Sequence, residues 1–90
     1  MMTIGRSKRF NTEYKKFVKH NNKRAESIIK AIDLFVNDPE HPGLNVEKLK
    51  ASNIWTLRLS EGNRLFFLWV NEKNILLVYV GKHDKYKNYL

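Results

Sequence analysis

Three histidines, the two tyrosines near the C-terminus and a surplus of lysine and arginine are the side chains of this 90-residue chain whose types could do chemistry. His83 stands in the stretch Gly81-Lys82-His83-Asp84-Lys85-Tyr86, flanked by charges of both signs. An imidazole changes charge near neutral pH, so His83 is the natural candidate for a general acid or base, against the ordinary alternative of a surface histidine with no role. Asp84 is of the type that fixes a histidine tautomer, although a sequence neighbour is equally able to point away. Tyr86 suits stacking on a nucleobase or donating a hydrogen bond, and packing of the tail onto the fold is the competing explanation. Tyr89 is similar and less favoured. His41 lies in a proline-flanked loop, and His20 falls at a helix end, where the helix dipole explains it. The histidines share no close metal-ligand spacing and there is no cysteine, so neither a metal nor any other cofactor is expected.

The charge balance narrows the partners. Lys and Arg number 17 against 9 Asp and Glu, a formal net charge of +8. That surplus favours a polyanion, through counterion release at phosphates, or an acidic protein; plain solubility is the alternative. The length fits one domain, residues 1–90. A content of 42% hydrophobic and 12% aromatic residues argues for a folded chain rather than a disordered one. No apolar run is longer than Leu65 to Val70, which has the length of a strand and falls far short of the ~20 residues that span a bilayer. Met1 to Phe10 is charged and has no apolar signal-peptide core. With cysteine absent, the expectation is a cytoplasmic protein with no membrane partner.

Two halves of different period must position these residues. Phe10, Tyr14, Phe17 and Val18 recur at i, i+4, i+7 and i+8, one face of a helix with Ser7 as its N-cap. Lys8, Arg9, Lys15, Lys16 and Lys19 fall elsewhere on it. Asn21-Asn22 reads as a break, and a second helix follows from about Lys23 to Asn37, stopped by Asp38-Pro39. Two helices so closely joined should form an antiparallel hairpin. Pro39 to Gly43 is a turn, and Leu44 to Lys50 is a basic connector, irregular or a short strand. Ile54 to Leu59 alternates, with Trp55, Leu57 and Leu59 on one side and Thr56 and Arg58 on the other. Glu61-Gly62-Asn63 marks a hairpin, Arg64 to Val70 the next strand, and Ile75 to Val80 a third that is apolar on both faces and therefore placed centrally. Met2 to Arg6 could add an edge strand. The expected fold is α+β: an N-terminal helical hairpin packed on one face of an antiparallel sheet of three to four strands.

Trp55-Thr-Leu-Arg58, then Asn63-Arg64-Leu-Phe-Phe, then Val80-Gly-Lys-His83-Asp84-Lys-Tyr86 resemble, in order and spacing, the RelE/ParE superfamily of bacterial toxins. The resemblance covers almost the whole chain. It implies the toxin of a type II toxin–antitoxin pair, in the branch of ribosome-dependent, metal-independent mRNA endoribonucleases, with the ribosome, mRNA and an antitoxin as partners. In that chemistry the 2′-hydroxyl attacks the adjacent phosphate. The reaction needs a base, an acid for the leaving 5′-oxygen and positive charge at the phosphorane-like transition state.

On that resemblance His83 is the acid or base, Asp84 its aid, and Tyr86 a stacking or hydrogen-bonding group. Arg64 matches the arginine opening the penultimate strand and would hold the scissile phosphate; a salt bridge to Glu61 or Glu72 is its ordinary alternative. Arg58 is a second phosphate ligand. Lys48 and Lys50 in the connector, with Lys82 and Lys85 beside His83, would contact RNA. Two other readings stay open: a DNA gyrase poison, which needs no nuclease site, and a non-toxic basic nucleic-acid-binding domain of the same fold.

If the charge serves a polyanion, retention on single-stranded RNA should fall steeply with salt. On a single strand, a protein neutralising about six phosphates loses roughly 300-fold in affinity between about 50 and 200 mM. Retention indifferent to salt would assign the charge to solubility alone.

Overall fold

The apolar face of the first helix points it onto a sheet, and the computed structural model, which describes residues 2–60 and 62–82, places it there. β1 (Thr3–Arg6) leads into α1 (Lys8–Val18), whose Phe10 and Phe17 are buried. Ser7 is the N-cap: its Oγ accepts from the Phe10 backbone N–H at 3.0 Å, occupying one of the donors that a helix start leaves orphaned. α2 (Asn22–Asn37) begins one residue earlier than the pattern indicated, with Asn21 as cap accepting from Arg24 N–H at 3.2 Å. The Arg24 guanidinium closes the joint between the helices. It donates to the Phe17 carbonyl at 3.1 Å and lies 4.5 Å from the Phe17 ring centroid. One side chain thus caps the end of α1 and covers its last core aromatic. Asp38 N–H closes α2 on the Leu34 carbonyl at 2.7 Å, immediately before Pro39.

A 3-10 turn, Pro42–Leu44, then drops Leu44 into the core. His41 caps this turn, its Nδ1 accepting from Gly43 N–H at 3.0 Å, so this histidine has a local explanation. The strands β2 (Glu47–Lys48), β3 (Trp55–Arg58), β4 (Asn63–Asn71) and β5 (Asn74–Lys82) complete a five-stranded sheet in the order β1-β5-β4-β3-β2.

Two expectations are corrected. The sheet is mixed and five-stranded rather than antiparallel with three or four strands, because β1 pairs with β5 in parallel, Ile4 opposite Ile75. The helical hairpin returns the chain to the far edge, where β2 runs opposite to β1. Antiparallel steps through β3 and β4 then bring β5 back beside β1 in the same direction. The middle strand is β4 and not Ile75 to Val80; β5 is interior but lies between β1 and β4.

β4 is buried on both sides. Leu65, Phe67 and the half-buried Trp69 face the helices, where Phe35 meets Phe67 edge-on at 5.2 Å and Trp69 at 5.8 Å. Phe66 faces the opposite side and packs with Tyr79, Leu49, Ile54 and Val78 in a second, smaller cluster. β5 carries a bulge that serves both clusters. Phe66 pairs with Tyr79 but Phe67 with Leu77, so Val78 is the extra residue. It reverses the alternation, and Leu77 and Val80 both enter the helix-side core while Tyr79 turns to the other face.

Burying a phenylalanine contributes about 1.5–3 kcal/mol and an edge-on aromatic pair about 0.5–1.5 more. Phe35→Ala is therefore expected to cost roughly 3–5 kcal/mol in a urea melt. Ile29→Ala, on the same helix but 65% exposed, should cost less than about 0.5. Equal losses would mean that α2 turns a different face to the sheet.

Candidate functional site

Strand alternation sorts the charged residues by face. β3 sends Leu57 into the helix-side core and Thr56 and Arg58 to the opposite, open face. On that face two neighbouring cross-strand rows run over the sheet. One reads Glu47, Thr56, Phe66, Tyr79; the next reads Arg58, Arg64, Gly81. The pairing therefore sets two guanidinium-bearing residues directly opposite each other at the start of β4. Like charges in that relation are destabilising.

Among the described residues neither Arg58 nor Arg64 has a carboxylate within ion-pair distance. The salt bridge to Glu72 considered for Arg64 is not formed, and Glu61 lies outside the described residues. Arg58 is exposed. Arg64 is half-buried and turns back along the sheet to donate from Nη1 to Thr56 Oγ1 at 2.8 Å. Gly81 ends the arginine row with no side chain. Its φ of 152° disfavours any other residue, and a Cβ there would meet the Tyr79 ring at 3.2 Å. The smaller cluster lies beneath: Phe66 and Tyr79, 5.5 Å apart and edge-on, with Leu49 and Ile54 folded over them from the β2–β3 loop. That loop is held by Leu49 N–H to the Ile54 carbonyl at 2.9 Å and by the Ser52 hydroxyl.

The other residues singled out from the sequence divide. Lys48 pairs with Trp55, which puts it on the helix-covered face, and Lys82 pairs with the buried Asn63, also on that face. Lys82 lines a cleft of about 380 Å³ with Lys16, Arg24 and Glu13, which neither Arg58 nor Arg64 lines. Lys50 is exposed in the β2–β3 loop. His83, Asp84, Lys85 and Tyr86 lie outside the described residues. His20 is exposed just past α1 with φ of 56°.

The sequence reading missed Glu47. It is the one acidic residue of the connector Leu44 to Lys50, and its register with Thr56 places it on the arginine face. With strands ~4.8 Å apart and ~3.3 Å of rise per residue, its Cα stands roughly 12 Å from that of Arg64. Both residues therefore belong to the same face of the sheet, two strands apart. The usable signal was the isolated acid in a basic connector; the face was not legible until β2 had a register. Among the described residues no three His, Asp or Glu side chains gather as metal ligands, and no helix is long and apolar enough to cross a membrane.

An open-face arginine pair with no carboxylate partner, a buried hydroxyl holding one of them and a carboxylate one row away can bind a phosphodiester and remove a proton beside it. The like-charge pair also has a cost that can be measured. Arg58→Gln is expected to raise thermal stability at low salt by a few tenths of a kcal/mol, the lower part of the ~0.2–1 range for such pairs. The gain should shrink with added salt. A lower melting temperature would mean that the Arg58 guanidinium is already partnered.

No protein-family model matches the chain, and no curated protein matches it. Solved structures do match. A metal-bound toxin from Helicobacter pylori is 24% identical, with TM-score 0.77 over 94% of this chain and 98% of that one. The YoeB/ParE toxin from Agrobacterium tumefaciens is 15% identical, with TM-score 0.76 over 91% and 99%. A chain of the YoeB-YefM complex from Staphylococcus aureus is 22% identical, with TM-score 0.72 over 92% and 98%. Identities this low speak to architecture, and the chain has the fold of the YoeB- and ParE-type toxins of the RelE/ParE superfamily.

Proposed function

We propose that this chain is the toxin of a type II toxin–antitoxin pair and an endoribonuclease that cuts mRNA on the ribosome. The observation that carries the reading is the cross-strand pair Arg58 and Arg64 on the open face, without a carboxylate partner among the described residues. An anion offsets the repulsion between like charges placed opposite each other, and the phosphodiester backbone supplies one.

In this reading Arg64 and Arg58 hold the non-bridging oxygens of the scissile phosphate. Glu47 takes the proton of the ribose 2′-hydroxyl. The 2′-oxygen bonds to phosphorus, the bond from phosphorus to the 5′-oxygen breaks, and His83 delivers a proton to that oxygen. A 2′,3′-cyclic phosphate remains on one fragment and a 5′-hydroxyl on the other. Tyr86 stacks on a neighbouring base and Asp84 supports the imidazole. No cofactor enters the reaction. Lys50, exposed in the β2–β3 loop, and Lys85 hold RNA without reading sequence, while Lys48 and Lys82, on the helix-covered face, add to the long-range attraction for RNA. The resting-state partner is an antitoxin; the YoeB-YefM toxin–antitoxin from Staphylococcus aureus and the DinJ-YafQ complex from E. coli, both with this fold, are solved as such pairs. The site of action is the cytoplasm, where translating ribosomes are.

The test is primer-extension mapping of mRNA 5′ ends after brief expression in a bacterial host, beside Arg64→Ala and His83→Ala. Cuts within translated frames are expected, reduced at least 100-fold by either substitution, the order of loss when one transition-state charge partner or one acid–base group is removed. Growth arrest with intact mRNA would sink the nuclease reading and favour a gyrase poison. Normal growth with intact mRNA would leave a harmless binding domain.

A further inference from the structure

We infer that Thr56 is a positioning residue for the phosphate-binding arginine: its buried hydroxyl holds the Arg64 guanidinium one row away from Arg58 and so sets the gap of a two-guanidinium clamp. The inference rests on the reading of Arg64 as a phosphate ligand, and it does not require that RNA be cut.

The register shows why such a tie is needed. Arg64 stands opposite Arg58, while Thr56 stands opposite Phe66. The Arg64 side chain nevertheless leaves its own row and donates to Thr56 Oγ1 at 2.8 Å. Repulsion between facing guanidiniums drives them apart, but repulsion alone selects no particular place for either. The hydroxyl does, because Thr56 is 0% exposed and its β-branched side chain has little χ1 freedom in a strand. Phe66, its register partner, has no acceptor to offer.

The chemistry of the acceptor matters as much as its place. A carboxylate there would orient Arg64 equally well but would neutralise it. A neutral hydroxyl takes one of the five N–H donors and leaves the charge and the remaining donors for a ligand. Holding an arginine before the ligand arrives also removes part of the side-chain ordering cost of binding. Arg58 is exposed and has no such tie among the described residues, so the clamp has one fixed jaw and one that closes.

The experiment measures binding of a short oligoribonucleotide, 2′-O-methylated so that it cannot be cut, to the full chain and to Thr56→Val, Thr56→Ser, Arg64→Ala and Thr56→Val with Arg64→Ala. Thr56→Val keeps shape and β-branching and should weaken binding about tenfold, the scale of one hydrogen bond to a charged group. Thr56→Ser keeps the hydroxyl and should bind within about twofold of the unsubstituted chain. In the Arg64→Ala background Thr56→Val should add nothing. In the unsubstituted chain without RNA, NMR relaxation of the Arg64 Nε–Hε group should show a rigid side chain and that of Arg58 a mobile one. This second readout stands whether or not the valine variant folds.

The positioning role is overturned if Arg64→Ala weakens binding and Thr56→Val does not, if the valine effect persists without Arg64, or if Arg64 is as mobile as Arg58. Unchanged binding by Arg64→Ala would overturn the phosphate role and this inference together. A chain that binds the oligonucleotide as described but leaves mRNA intact would remove the nuclease reading and leave the Thr56 tie standing.

Discussion

Two consecutive phenylalanines on the middle strand send their rings to opposite sides of the sheet, and the rest of the structure depends on that division. Phe67 closes the helix-side core against Phe35, and Phe66 builds the smaller cluster with Tyr79. A slip of one residue in the register of β4 would exchange them and send every charged neighbour to the wrong face. Burial on both sides makes such a slip costly, because it would expose rings that are now 0% accessible. The same strand carries Arg64 two residues before Phe66, so packing of the aromatic pair also fixes where the arginine emerges.

The smaller cluster gives the open face its rigidity. A three-strand meander under one helical layer would leave that face wet and mobile. Here the bulge at Val78 turns Tyr79 over to meet Phe66, and the β2–β3 loop lays Leu49 and Ile54 across them. The loop accepts a left-handed alanine, Ala51 at φ of 57°, to do so, a conformation that costs about 1–2 kcal/mol for a residue with a Cβ. A charged row needs such support. Guanidiniums on a pliant surface would spread apart, whereas Arg64 is tied to a fully buried threonine in β3.

Stability and binding pull in different directions at that row. The arginines sit opposite each other without a neutralising partner among the described residues, while elsewhere Glu13 is shared by Arg9 and Lys16 at 3.8 Å each. The fold can therefore place carboxylates beside cations on its helical surface, whereas on the open face Glu47 stands a row away from the arginines and pairs with neither. Local rules broken where an anion would bind are the expected mark of a functional surface.

Periodicity alone determined much of this protein. The two helices, the Ser7 cap, the stop at Asp38-Pro39, the meander and the opposite facing of Leu57 and Arg58 were legible, because each follows from side chains within a few positions of one another. The basic character was equally legible, since charge is a sum over residues. Only the tertiary structure decided what depends on pairing between distant segments. The parallel partnership of β1 with β5 depends on how many reversals separate them. The bulge at Val78 leaves no mark in an apolar run. The face of Glu47 turns on a two-residue edge strand, too short to show a period. The tie from Arg64 to Thr56 joins neighbouring strands on a diagonal, out of register. Long-range pairing is set by burial on both faces of the sheet, and no local pattern encodes that.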